Sequence, residues 1–94
     1  MTDFKIAHLH EQGQDMIIIP LESSFGRKST NEQEKVIVYL QSCAASANLR
    51  GTVIPVWQDG NSMRFIAPLN WHAFFRSINW NWVMAQLNKT LTCH

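Results

Sequence analysis

The sequence predicts an α+β fold in the order ββαββα, a four-stranded antiparallel sheet made of two hairpins with two helices on one face. Two pairs of β-branched or aromatic runs each flank a glycine turn. Each pair is followed by a stretch whose apolar residues recur at helical spacing. The second half of the chain repeats the order of the first.

In the first half, "FKIAHLH" and "MIIIPL" flank "EQGQD". The helix that follows has its start signal in Ser29, Thr30 or Asn31, any of which can cap it, with Glu32 or Glu34 three positions on as a capping box requires. Val36, Ile37, Leu40, Cys43, Ala44 and Ala47 then form one apolar face, and Gly51 is a plausible stop. In the second half "TVIPVW" and "MRFIAPL" flank "QDGNS", where Asp59-Gly60 suits a type I′ turn. Pro68 to Arg76 reads as an irregular or short helical lead-in, and Ser77 as the cap of a helix running to about Leu91.

Sliding the chain by half its 94 residues superposes Gly13 on Gly60, Met16 on Met63, Ile19 on Ile66, Val36 on Val83 and Leu40 on Leu87. One domain spanning 1–94 is expected, with half-repeats 1–47 and 48–94 related by a pseudo-two-fold axis. The strands add a second expectation. Met16 to Ile19, and Val53 to Trp57, put apolar groups on both faces of the sheet, and two helices on one side leave the other uncovered. A homodimer packed through the sheet follows from that arrangement.

Composition narrows the function classes. With 46% apolar residues a core is within reach, and the net charge of +1 gives no general reason for a polyanion partner. All seven acidic residues precede Gly60, so an anionic partner would favour the last third, which carries Arg64, Arg76 and Lys89. The start "MTDFKIAHLHEQ" has no apolar signal core, and the longest apolar run, Met16 to Leu21, is too short for a bilayer. Cys43 and Cys93 form no CxxC pair and are too few for a disulfide framework, so they read as free thiols in a cytoplasmic protein with no membrane partner.

Chemistry concentrates in a few stretches. In "NWHAFFRSINWNWVMAQLNKTL", Trp71, Phe74, Phe75, Ile78, Trp82 and Ala85 fall on one helical stripe, and Trp80, Met84, Leu87 and Leu91 on a second. A helix apolar on two sides is buried on both, meets a partner or holds a ligand; core on one stripe and interface on the other is the simpler reading. The candidate binding residues are Trp57, Trp71, Phe74, Phe75, Arg76, Trp80 and Trp82. "SSFGRKST" offers Arg27, Lys28, Ser29 and Thr30 as an anion site at a helix start, although its spacing is not that of a Walker A loop and a plain cap explains it as well. His8 and His10 share a strand face and could share a metal only with a third ligand from His72, Cys93 or His94, so no metal site is assigned. No catalytic motif or cofactor signature is present, and Glu22 could act as a general base only if it folded against the aromatic segment.

The expected function is therefore non-catalytic. The chain reads as a homodimeric binding or interaction protein with an unknown protein or small-molecule partner, of the kind a phage or other mobile element carries as an accessory. The alternatives are a nucleic-acid or phosphate-ligand binder using Arg27, Lys28, Arg64 and Arg76, and a small-molecule binder or enzyme with a pocket walled by Trp57, Trp71, Phe75 and Trp82.

Overall fold

The computed structural model describes residues 2–11 and 13–93. The fold is α+β, with five strands and three helices: β1 (Thr2–Glu11), β2 (Gln14–Pro20), α1 (Thr30–Ser46), β3 (Thr52–Asp59), β4 (Ser62–Phe65), α2 (His72–Ser77), α3 (Trp80–Gln86) and β5 (Lys89–Cys93). The strands form one sheet in the order β4-β3-β2-β1-β5.

Both predicted hairpins are present, β1 with β2 and β3 with β4, each antiparallel. In the second, Gly60 has φ 62° and Asn61 is not among the positive-φ residues, the signs of a type II′ rather than a type I′ turn. The join between the hairpins departs from the expected antiparallel sheet. β2 and β3 run parallel, with Ile18 opposite Ile54, and α1 is the crossover that a parallel pair requires. The centre of the sheet thus pairs the second strand of one half with the first strand of the other, whereas a two-fold axis would pair equivalent strands. The halves share only their opening hairpin and a helix after it; the second half adds another helix and β5, so neither the ββαββα order nor the two-fold arrangement holds.

The helices do not share a face either. Side chains alternate along a strand, so Ile17 and Ile19 face one way and Met16 and Ile18 the other. The first pair joins Ile6, Val53, Leu40 and Ala44 under α1, and the second joins Ala7, Ile54, Val56, Trp71, Phe75 and Val83 under α2 and α3. The apolar groups on both faces are therefore covered within one chain. They are the mark of strands buried on both sides, and they give no reason to invoke a second copy.

Local signals explain the helix ends. The Ser29 hydroxyl accepts from Glu32 N at 3.2 Å while the Glu32 carboxylate reaches back to Ser29 N at 3.4 Å, a complete capping box. At the other end Asn48 takes φ 60° and Leu49 N donates to Ala44 O at 2.9 Å, so Asn48 rather than Gly51 terminates α1. The predicted helix from Ser77 to Leu91 is broken twice. Asn79 starts α3 by accepting from Trp82 N at 2.8 Å, and beyond Gln86 the chain turns into β5, with Phe4 opposite Leu91. The Asn88 side chain extends that pairing: Oδ1 accepts from His8 N at 2.9 Å and Nδ2 donates to His8 O at 3.0 Å, as one more strand residue would.

Cys43 of α1 and Cys93 of β5 form a disulfide across a Cα separation of 5.3 Å, which overturns the free-thiol expectation. The sequence separation of 50 hid the pairing, because only the strand order brings β5 under α1.

Candidate cleft at the carboxyl ends of the parallel strands

β2 and β3 end side by side, and the chain leaves them toward opposite faces. From β2 it passes to α1 on one face; from β3 it makes the β4 hairpin and then α2 and α3 on the other. In open α/β sheets a crevice between parallel strands whose connections diverge in this way is where ligands settle. The rim of this one is Pro20 to Arg27. Leu21 N donates to Val56 O at 2.8 Å, closing β2 onto β3. Ser23–Arg27 then forms a 3-10 turn with Phe25 N on Glu22 O at 2.9 Å. Phe25 pins the turn: its ring is buried edge-on against Trp57 at 5.0 Å, and Gln33 Nε2 donates to its carbonyl at 3.0 Å.

Between this rim and α3 lies an open cleft of 510 Å³, with a mostly apolar lining in which Leu21, Trp80, Met84 and Leu87 face Lys5, Glu22 and Gln58. Trp80, Met84 and Leu87 follow one another at i, i+4 and i+7, so a single stripe of α3 and its exit turns toward the cleft. That is the second stripe noted in the sequence, except for Leu91, which β5 carries into the core under α1. A smaller hollow of 290 Å³ adjoins across the shared residues Ser23 and Gln58, and is lined by Gly26, Arg27, Trp57 and Asp59.

The other candidate binding residues scatter. Trp71 and Phe75 are buried beneath α2, with Phe75 only 1% exposed. Phe74 is half-buried, edge-on to Phe75 at 5.2 Å and to half-buried Trp82 at 5.9 Å, as the flank of that core. Trp57 packs on Phe25 on the α1 side of the sheet, so the four-residue wall of Trp57, Trp71, Phe75 and Trp82 is not assembled. Arg76 is exposed in the last turn of α2, where a cation suits the helix dipole. Arg64 Nε donates to Asp59 Oδ2 at 3.2 Å.

The anion motif also divides. Ser29 is engaged in the capping box, and the Glu32 carboxylate sits where an anion at the α1 start would bind. Lys28 borders a third hollow with Phe4, Leu21 and Val36, while Arg27 alone of the four lines the hollow beside Trp57. Glu22 does lie beside Trp80, as its role as a base would require, yet its side chain is exposed.

The histidines find other partners. His8 Nε2 bonds Arg50 O at 2.7 Å, His10 Nδ1 bonds Asp15 Oδ1 at 2.7 Å, and His72 Nε2 bonds Ala67 O at 2.9 Å. His94 lies outside the described residues, among which no three His, Cys, Asp or Glu side chains are grouped to hold a metal. The His10 hydrogen bond holds the Asp15 carboxyl below its ordinary value. A lowered folded-state value means that the contribution to stability is full above about pH 4 and is lost as the pH falls through the folded-state value. Asp15→Asn is thus expected to flatten part of the acid limb of the Tm-against-pH curve below about pH 4. An unchanged acid limb in the variant would show that the pair adds nothing to stability.

Residues that sequence reading missed are Lys5, Leu21, Ser23 and Gln58, which become neighbours only through the strand order. Among the described residues no helix is long and apolar enough to cross a membrane. No known protein family, curated protein or solved structure matches this chain, and the cleft is characterised by its own geometry.

Proposed function

We propose that this chain is a non-catalytic binding protein whose site is the cleft between Pro20–Ser23 and α3, and whose ligand is a small organic molecule with an apolar body. The observation that carries the reading is a cleft of 510 Å³ at the divergence of two parallel strands, apolar over most of its wall. Its size falls within the range of small-molecule sites. Glu22 is exposed at the rim, and the residues lining the cleft bring no histidine, cysteine or second carboxylate beside it, which supports binding rather than turnover. Coverage of both sheet faces within one chain supports binding by a single copy. The Cys43–Cys93 disulfide supports work in an oxidising compartment rather than in the cytoplasm.

Amide and methyl NMR shifts test the reading. Octan-1-ol and toluene are expected to move the resonances of Lys5, Leu21, Met84 and Leu87 in a saturable way, and Met84→Glu to weaken both by about tenfold or more. If a panel of such apolar molecules leaves these resonances in place in the folded protein, the cleft is not a ligand site.

A further inference from the structure

The hollow beside the cleft holds a donor without an acceptor among the described residues. Trp57 is nine-tenths buried, and its indole N–H donates to no described residue. The atom is not sealed away, since no buried side-chain nitrogen or oxygen among the described residues lacks a partner. It is open because residue 26 is glycine: a Cβ there would overlap Nε1 of Trp57. Gly26 and Trp57 both line the 290 Å³ hollow, together with the guanidinium-bearing Arg27 and Ser23. Asp59 is the acid in this hollow, and Arg64 Nε engages its carboxylate at 3.2 Å in an exposed pair that offsets part of its charge.

We infer that the hollow receives the anionic head, a carboxylate or a phosphate, of the same ligand whose apolar body fills the larger cleft. This inference rests on the binding function proposed above. A head at this position takes hydrogen bonds from the indole N–H and the Arg27 fork, the charge-assisted kind that is shorter and stronger than a neutral bond. The two spaces share Ser23 and Gln58, and an extended molecule that fills both passes around the end of β3, from the α3 side to the Trp57 side. Charge directs the orientation as well. In the larger cleft Lys5 is accompanied by the exposed carboxylate of Glu22, whereas Arg27 has for company an acid already paired with Arg64. The ligand class is an amphipathic organic acid or phosphate ester.

The test compares octanoate, octyl phosphate and octan-1-ol, followed through the side-chain N–H signal of Trp57, which is identified by its loss in Trp57→Phe. Both anions are expected to bind about tenfold more tightly than the alcohol and to shift the Trp57 signal downfield, while the alcohol leaves it in place. Arg27→Gln is expected to bring all three within about threefold of one another. The tighter anion identifies the head as carboxylate or phosphate. Equal binding of anions and alcohol, or tighter anion binding that Lys5→Gln removes and Arg27→Gln does not, overturns the assignment of the head while leaving the apolar cleft intact. Failure of all three molecules to bind overturns the cleft itself.

Discussion

Replacing Phe75 by alanine is expected to cost about 3–5 kcal/mol of folding stability. In a chain of this size that lowers Tm by roughly 12–40 °C. Phe75 is 1% exposed, and its ring lies 5.3 Å from Phe65 and 5.2 Å from Phe74 beneath α2. Truncation removes the transfer energy of the ring and leaves a cavity that the surrounding core closes only in part. Trp80→Ala is the informative comparison, since Trp80 is half-buried at the cleft and should cost less stability while weakening ligand binding. Urea denaturation of both variants checks this. A Phe75→Ala protein within about 1 kcal/mol of the parent would place Phe75 at a surface rather than in the core.

Phe75 also illustrates what the sequence made legible. Its stripe with Trp71 was readable as core from helical spacing alone, and the capping box of α1 from four residues, because both signals are local. The sheet was legible only in part. The runs Met16–Ile19 and Val53–Trp57 carried the right signal, apolar groups on both faces, but two different arrangements satisfy it: a second copy of the chain, or a helix on each side. This chain carries a helix on each side, α1 on one and α2 with α3 on the other, and the parallel pairing of β2 with β3 that goes with it depends on which strand α1 returns to. β5 escaped for a different reason. Leu87 and Leu91 keep a helical interval even though Asn88 intervenes as a strand-like partner of His8, and Thr90 and Thr92 are the only β-branched residues to mark the change. The cleft follows the same logic: the stripe Trp80, Met84, Leu87 was visible, whereas Lys5, Ser23 and Gln58 come from three segments that meet only at the end of the assembled sheet.

Reduction of the Cys43–Cys93 bond is expected to have an effect of comparable size. The bond closes a loop across a sequence separation of 50, for which the chain-entropy account gives about 4 kcal/mol, or roughly 15–30 °C in Tm. Its location suggests which part of the fold responds first. β5 lies at the edge of the sheet, paired only with β1, and holds Leu91 and Cys93 in the core under α1. Without the bond, the five-residue strand keeps its ladder and two buried side chains as its main anchors. Amide exchange in Lys89–Cys93 should therefore rise well before that of β2 and β3, and the double variant Cys43→Ala, Cys93→Ala should reproduce the behaviour of the reduced chain. A 4 kcal/mol loss is a large share of the stability that a domain of this size has, so a chain kept reduced would sit near its folding threshold. Alkylation of the chain in cells quenched with acid reads the thiol state directly. A pair of cysteines that escapes alkylation agrees with an oxidising compartment; two alkylated thiols, with a midpoint that the reductant does not move, would mean that packing under α1 holds β5 without the bond.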